Sequence, residues 1–595
     1  MQPVLTNYAA NLPRTDYPRP QWMRSEWMSL NGEWEFAFDA GVSGKARGMV
    51  GQGEYPLTIT VPFCPESRLS GIGHIDFIPA VWYRRTMNLK KPAGKRALMH
   101  FGAVDYECEV WVNGVSVGTH RGGYASFTLD VTDALADGEN TFVVFAEDDV
   151  RSGRQPHGKQ CPDYKSRACS YTRTTGIWQT VWMEFVPEKY LLDAKMTPNA
   201  ADGTLSAQIH AVGTKSGDQV KLTAYYEGRP VGEAKATFAG TLANAFLTVS
   251  EKHLWNVGAP ELYDLTVELL DGGEPVDTVQ SYFGLRDVAL TDRALTINEK
   301  PVFMRTVLDQ GFNPEGIYTA PDDEFLKHDI ELSMELGFNG ARLHQRVFEE
   351  RTLYWADRLG YLVWGEYAGA RDLCTVQGCA DFMPEWMETM RRDYNHPALI
   401  GWCPLNESYH KMALDPETHR ILYRVTKAYD PTRPVIDASG GMHYDTDLFD
   451  VHDYEQDPDA FRVYYEPMKD APMAWYNPIP RYVGNAPRRS MEYKGQPFWV
   501  SEYGGTFWNP DLKPGTDGWG YGNAPKTEEE FADRYERLTG VLLSHPRICG
   551  FCYTQLTDIE QEQNGLYRFD RTRKLPDWVY DRIRRANTAI AEIEK

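Results

Sequence analysis

Two glutamates occupy the same kind of place in this 595-residue chain. Glu407 ends the run Leu399-Ile-Gly-Trp-Cys-Pro-Leu-Asn406-Glu407, and Glu502 ends Phe498-Trp-Val-Ser-Glu502. An apolar run that stops on a carboxylate is what a buried parallel strand looks like where its last side chain emerges at the sheet's rim. Two carboxylates facing each other across a pocket, one protonated and one ionised, meet the requirement of glycosidic bond cleavage. One protonates the leaving oxygen; the other attacks or stabilises the oxocarbenium-like centre. A separation of about 5–5.5 Å gives retention of configuration at the sugar carbon. Taken alone, either glutamate reads equally well as a structural ion-pair partner; their pairing, with aromatic residues near both, favours catalysis. Other polar residues end comparable runs: Asp309, Arg342 with His344, Glu366, Asn406, Asp437, the triplet His452-Asp453-Tyr454, and Gln555 with Asp558. The set contains no Gly-rich phosphate loop, no nucleophilic serine elbow and no lysine poised for a Schiff base. The 14 histidines form no His-x-His or His-Glu-x-x-His pattern, which argues against a metal-dependent hydrolase, and neither metal nor cofactor is expected. Cys549-Gly-Phe-Cys552 has the spacing of a redox pair but lies in the apolar, β-like run Ile548 to Tyr553, and reads as core thiols.

These residues need a scaffold that brings strand ends together. From about residue 290 the pattern alternates strand and helix. Val302 to Leu308, Phe338 to His344, Tyr361 to Glu366 and Leu399 to Glu407 read as the first four strands. Val435 to Ala438, Leu448 to His452, Phe498 to Glu502 and Cys549 to Tyr553 read as the second four. Helical periodicity covers Asp322 to Leu336, Glu349 to Leu359, Met383 to Tyr394 and Trp578 to Ile593. Eight βα units in about 300 residues predict a (β/α)₈ TIM barrel, whose chemistry sits where strands end and loops begin. The Pro- and Tyr-rich stretch from Glu466 to Gln496 is too long for a plain connector. Upstream, residues 30–185 alternate with period two and turn at Asn113-Gly114 and Asp137-Gly138, as in an antiparallel, jelly-roll-like β-sandwich. A block near 100 residues, with strands at Val220 to Tyr226 and Tyr263 to Leu270, suits an immunoglobulin-like sandwich. The expected boundaries are 1–186, 187–286 and 287–595.

The chain carries 62 Lys plus Arg against 84 Asp plus Glu, a net charge of −22. That balance repels phosphate backbones and anionic lipid, so neither nucleic acid nor membrane is expected as a partner. No apolar stretch approaches the roughly 20 residues that span a bilayer. The first residues lack a basic segment followed by an apolar run, so no signal peptide is read there. Nine scattered cysteines suit reduced thiols, and a cytoplasmic location is expected. Aromatics stack on sugar rings; Trp364, Trp475 and Trp508 are the candidates near the barrel mouth, each with core packing as the alternative.

Three segments resemble the family 2 glycoside hydrolases, the group of β-galactosidases, β-glucuronidases and β-mannosidases. Asn395-His-Pro-Ala-Leu-Ile-Gly-Trp-Cys-Pro-Leu-Asn-Glu407 is similar to that family's acid/base signature, and Phe498-Trp-Val-Ser-Glu502-Tyr-Gly-Gly to its nucleophile segment. Tyr171-Thr-Arg-Thr-Thr-Gly-Ile-Trp-Gln-Thr-Val-Trp182 is similar to the stretch closing its N-terminal sandwich. The resemblance implies that Glu407 is the general acid/base, Glu502 the nucleophile, Asn406 a donor to the sugar 2-hydroxyl and Tyr454 a contact of the nucleophile. Arg342 and His344 fall where the family has Arg-x-x-His, with the spacing here Arg-x-His, and Asp309 is a hydroxyl ligand by position. Tyr553 stands where β-galactosidases place a Trp under the sugar. Glu366-Tyr-Ala lacks the histidine of those enzymes' magnesium site. In the family's β-glucuronidases an Asn-x-Lys element grips the sugar carboxylate; Glu562 and Asn564 align there, and an anion at that place disfavours a uronic acid. The resulting expectation is a retaining exo-β-glycosidase acting on terminal neutral sugars, a β-galactoside first. A β-glucuronidase, β-galacturonidase, pentofuranosidase or galactofuranosidase is the alternative within the family. A carbohydrate-binding protein without turnover is the alternative outside it. Family members often assemble through their sandwiches, which makes a homo-oligomer the expected assembly.

Overall fold

The structure, a computed structural model, describes residues 4–5, 12–369, 376–408, 416–470, 490–512 and 517–595. Three units follow in chain order. The first is a sandwich of a five-stranded and a six-stranded sheet, closing on the strand Val181–Pro187. Strand Ala80–Leu89 shows how period two builds it: Val81 and Tyr83 face the inter-sheet core with Met99, Phe101 and Val144, while Trp82 faces the opposite side with Trp111 and Phe145. The hairpin of Glu107–Val112 and Val115–Arg121 turns at Asn113 (φ 52°) and Gly114 (φ 80°), the two left-handed residues that a tight hairpin requires.

Seven strands from Tyr190–Asn199 to Glu274–Phe283 make the second unit, a three-stranded sheet on a four-stranded one, around Leu205, Ile209, Leu222, Leu265 and Val267. A short three-stranded sheet, Val288–Leu290, Leu295–Ile297 and Lys300–Val302, then precedes the barrel, whose first strand is Met304–Asp309 rather than a run starting at Val302.

The barrel's parallel strands lie in the order Leu399–Cys403, Leu362–Glu366, Gly340–Leu343, Met304–Asp309, Ile548–Thr554, Phe498–Gly504, Phe449–Asp453. The expected fifth strand, Val435 to Ala438, is not a regular one. Its backbone bridges the Leu399–Cys403 side, Trp402 to Val435 and Asn406 to Ser439, while the Phe449–Asp453 side is reached through side chains. Polar side chains take over its ladder: the buried Asp437 accepts from the Ala438 and Tyr444 amides (3.0 and 2.7 Å), and Asp450 from Ser439 Oγ and the Gly440 amide (2.7 and 3.0 Å). Helix Asp323–Glu335 starts from Asp322, whose carboxylate caps the Phe325 amide at 2.8 Å. The third helix, Val376–Asp393, begins before the expected Met383 and carries Pro384 within it; the closing helix stops at Asn587 and gives way to the 3₁₀ turn Glu592–Glu594. Cys549 and Cys552 are fully buried, and burial pushes the Cys552 thiol up to about 12. Trp364 packs inside the barrel on Trp499 at 5.0 Å between ring centres, and Trp508 packs on Phe531, while Trp475 lies outside the described residues. No helix among the described residues is long and apolar enough to cross a membrane.

Candidate active site

Strand ends and irregularities aim the side chains. The Phe449–Asp453 and Phe498–Gly504 pair shifts register between Val451 and His452, which sets His452 opposite Glu502. Glu407 lies past the end of Leu399–Cys403 at φ 50°, a left-handed conformation for a residue with a Cβ, and its amide donates to Ser439 O at 2.9 Å. Strain of this kind concentrates at working sites. The two glutamates and His452 converge: one oxygen of each carboxylate and a ring nitrogen all lie within 4.8 Å of one another. His452 Nδ1 stands 2.9 Å from Glu407 Oε1 and 3.2 Å from Glu502 Oε2. Sequence reading placed His452 at a strand end but gave it no role.

Both Glu502 oxygens are occupied by donors. Arg342 Nη1 donates to Oε1 at 2.9 Å, and the Tyr454 hydroxyl donates to Oε2. A cation added beside Arg342 would meet like charge, so the cluster reads as a carboxylate pair rather than a metal cradle. Arg342 is the hub of the barrel mouth: Nε bonds Glu366 Oε1 (2.5 Å), Nη1 the Ser501 carbonyl (2.9 Å) and Nη2 Asn406 Oδ1 (3.1 Å). Burial opposes its charge, but Glu366 and Glu502 outweigh burial and hold the guanidinium above its ordinary value. Burial also opposes the Glu366 charge; Arg342 and His344 prevail and hold that carboxyl at about 2. Burial pushes His344 below its ordinary value, with Nδ1 3.0 Å from Glu366 Oε2. With its carbonyl engaged by Arg342, Asn406 has its amide N–H groups left as donors.

Tyr454 lies flat on Tyr521, with ring centres 3.4 Å apart at 2°, and Trp519 meets Tyr521 edge-on at 4.9 Å. Gly505 makes that stack possible: at φ 64° a Cβ there would come within 2.4 Å of the Tyr521 ring. Burial, then Glu502 and Tyr521, push the Tyr454 phenol well above its ordinary value, so it remains a donor. Tyr521 and Trp519 are half-buried aromatics that sequence reading passed over; the glycine alternation Gly518-Trp-Gly-Tyr-Gly522 was the available signal.

Two expected ligands fall elsewhere. Tyr553, expected under the sugar, points out of the barrel: its ring packs on Tyr535 of the outer helix Glu528–Leu543 at 4.8 Å and on Tyr503 at 5.5 Å. Its neighbour Thr554 is the residue that reaches the site, 3.1 Å from the Tyr454 hydroxyl. Asp309 belongs to an adjoining network, with Oδ1 accepting the Gly311 amide at 2.8 Å, as a loop-capping aspartate does. Burial, then Asp329, push its carboxyl up to about 6.

The sandwich also enters the mouth. The Gly158 amide donates to Ala368 O at 3.3 Å, the Tyr171 amide to Lys159 O at 2.8 Å, and the Tyr171 hydroxyl to Glu562 Oε2. Glu562, fully buried, also accepts from Asn564 Nδ2 at 2.9 Å, and Gln310 Nε2 donates to Tyr171 and Gln555 at 2.8 and 2.5 Å. Burial pushes the Glu562 carboxyl up to about 7 against the opposing pull of Lys159.

Three family profiles match in the order of the three units. They are the sugar-binding domain of glycosyl hydrolases family 2 over residues 48–152, the family 2 domain over 189–286, and the family 2 TIM barrel domain over 288–512. The chain belongs to glycosyl hydrolase family 2. As a family 2 member it is a glycoside hydrolase. A Streptococcus agalactiae β-glucuronidase is 23% identical over 527 residues, covering 82% of this chain and 83% of that one. The dog β-glucuronidase is 27% identical over 481 residues, covering 73% and 71%. A Leuconostoc mesenteroides β-galactosidase is 26% identical over 422 residues, covering 67% of this chain and 38% of its own. A Formosa agariphila relative is matched over 40% of its length. Thus the chain spans well under half of some relatives and most of others. In fold it is similar to the Bifidobacterium dentium β-glucuronidase complexed with coumarin-3-O-glucuronide (TM-score 0.78, 20% identity, 96% and 98% of the two chains). The Lactobacillus rhamnosus β-glucuronidase gives the same TM-score of 0.78 with 98% and 100% covered.

Proposed function

We propose that this family 2 hydrolase is a retaining exo-β-glycosidase whose substrate carries a terminal β-linked uronic acid, as in the β-glucuronidases it resembles. The observation that carries the mechanism is the approach of the Glu407 and Glu502 oxygens to within 4.8 Å. That proximity suits double displacement and leaves no room for the intervening water of an inverting enzyme. Glu502, pinned at both oxygens by Arg342 and Tyr454, is the nucleophile that attacks the anomeric carbon. Glu407, the more open of the two at 15% side-chain exposure, protonates the leaving oxygen and then takes a proton from the incoming water. His452 orients Glu407 from 2.9 Å, and Asn406 donates to the sugar 2-hydroxyl.

For the sugar, the preference for a neutral ring rests on Glu562 repelling a uronate. That repulsion is weakened here: Tyr171 and Asn564 satisfy Glu562, and its carboxyl is pushed to about 7. The β-glucuronidase relatives are also matched over more of their own length than the β-galactosidase. A β-galactoside is the second reading, supported by that relative and by Glu562. Cytoplasmic location and a homo-oligomeric assembly complete the proposal, resting on thiol usage and family resemblance. A p-nitrophenyl panel tests it: β-glucuronide and β-galacturonide against β-galactoside and β-glucoside. At least one uronide should exceed both neutral sugars in kcat/KM by about tenfold or more, a difference of ~1.4 kcal/mol. A neutral sugar in the lead would overturn the uronide reading, and silence on all sugars would favour a binding protein.

A further inference from the structure

A uronate entering this mouth meets the carboxylates Glu366, Glu407, Glu502 and Glu562, in a chain of net charge −22. Some cation must offset them, and Arg342 is spent, bonded to Glu366, Glu502, Ser501 O and Asn406. The positions aligned with the Asn-x-Lys element of the family's β-glucuronidases hold Glu562 and Asn564, one acidic and one a neutral amide, and neither supplies a cation.

We propose that Lys159, carried into the barrel mouth by the N-terminal sandwich, is the residue that binds the carboxylate of the sugar. Its backbone is fixed on both sides. Gly158 is pressed against the barrel loop after His344, where a Cβ would come within 2.2 Å of Gln345 O, so a glycine is required for that approach. The Lys159 carbonyl accepts the Tyr171 amide, and Gln160 pairs with Tyr171, whose hydroxyl is anchored on Glu562. The loop is thus clamped to the barrel at its two ends, which sets Lys159 beside the loop after His344 and beside the Tyr171–Glu562 contact, and its charge is coupled to His344, Glu407, Glu502 and Glu562. It is half-buried and makes no ion pair within 4 Å among the described residues, unlike Arg342. Burial works against its charge, but Cys169, Glu407, Glu502 and Glu562 prevail and keep the ammonium protonated. A lysine that stays charged without an ion-pair partner among the described residues, on a loop fixed at the barrel mouth, suits a ligand carboxylate that completes the pair.

This assignment rests on the uronide reading, and the test separates the two. Wild type, Lys159→Met and Lys159→Arg are assayed on the best p-nitrophenyl uronide and on the neutral glycoside of the same ring configuration, with melting curves for each. The expected result is a fall in kcat/KM of roughly 10²- to 10³-fold for K159M on the uronide, mostly in KM. The neutral substrate should be unchanged or faster, and K159R should recover part of the uronide rate. Equal losses on both substrates, or no loss on the uronide, with native melting would overturn the assignment while leaving the uronide reading standing. A wild-type enzyme that cleaves neutral glycosides and no uronide would remove the reading itself and the assignment with it.

Discussion

Glu407 stands on a left-handed backbone that costs a residue with a Cβ on the order of 1 kcal/mol, and its amide is tied to Ser439 O. The side chain that this geometry presents is the more open carboxylate, next to His452, and the proposed mechanism makes it the acid for the leaving group. Its loss should therefore be felt through the leaving group. Glu407→Ala should spare formation of the glycosyl-enzyme from dinitrophenyl glycosides, whose phenolate departs unaided. Poor leaving groups should fall by about 10²- to 10⁴-fold, the usual worth of general acid catalysis. With the first class, release of the glycosyl-enzyme should then limit turnover, because Glu407 is also the base for water, and azide should speed that release by forming the glycosyl azide. Equal losses on good and poor leaving groups would contradict the role. Both glutamates were legible from sequence because each ends an apolar run, a pattern that local chemistry imposes. His452 was not assigned: its role depends on a register shift between two strands, which leaves no mark on composition.

At the scale of elements, buried carboxylates tie together the sandwich loops that lie against the barrel. The loop after Leu57–Val61 carries Glu66, whose Oε2 accepts the Thr175 amide at 3.2 Å, and Thr175 Oγ1 reaches Asp148 at 3.1 Å. The same loop meets the barrel, with the Leu69 amide on Glu315 O at 3.1 Å. Glu66 Oε1 has no hydrogen-bond partner among the described residues. Burial, with Asp148 adding to it, pushes the Glu66 carboxyl up to about 8, and burial pushes Asp148 up to about 6. The folded state thus favours the protonated acid. Its stabilising effect is fully present below the unfolded value near 4.5 and is lost as pH rises through about 8. Glu66→Gln, a neutral stand-in, should raise the melting temperature at pH 8.5 by on the order of 5 °C and leave it unchanged at pH 4. Parallel melting temperatures for the two proteins from pH 4 to 9 would refute this. Elements were the best-read scale in sequence, since periods of two and 3.6 set strands and helices directly. Failures came where side chains replaced the backbone ladder, at Val435 to Ser439. They also came where the parity of the last strand decided orientation: Thr554 faces the site and Tyr553 the outer helix.

The whole molecule explains why the pocket needs two units. The barrel supplies Glu407, Glu502, Arg342 and Tyr454; the sandwich supplies Tyr171 and Lys159, closing the mouth and setting its charge. The contact joining Tyr171 to Glu562 spans 391 positions, so no window of sequence could reveal it. Only the resemblance of the Tyr171 to Trp182 segment hinted that the region matters. What the account depends on most is that Glu502 attacks the anomeric carbon while Glu407 faces it from the other side. A 2-deoxy-2-fluoro glycosyl fluoride of the sugar that the wild type cleaves best would trap the covalent intermediate. Mass spectrometry of the digested enzyme should then find the fluorosugar esterified to Glu502. A label on Glu407 or on any other residue would contradict the account.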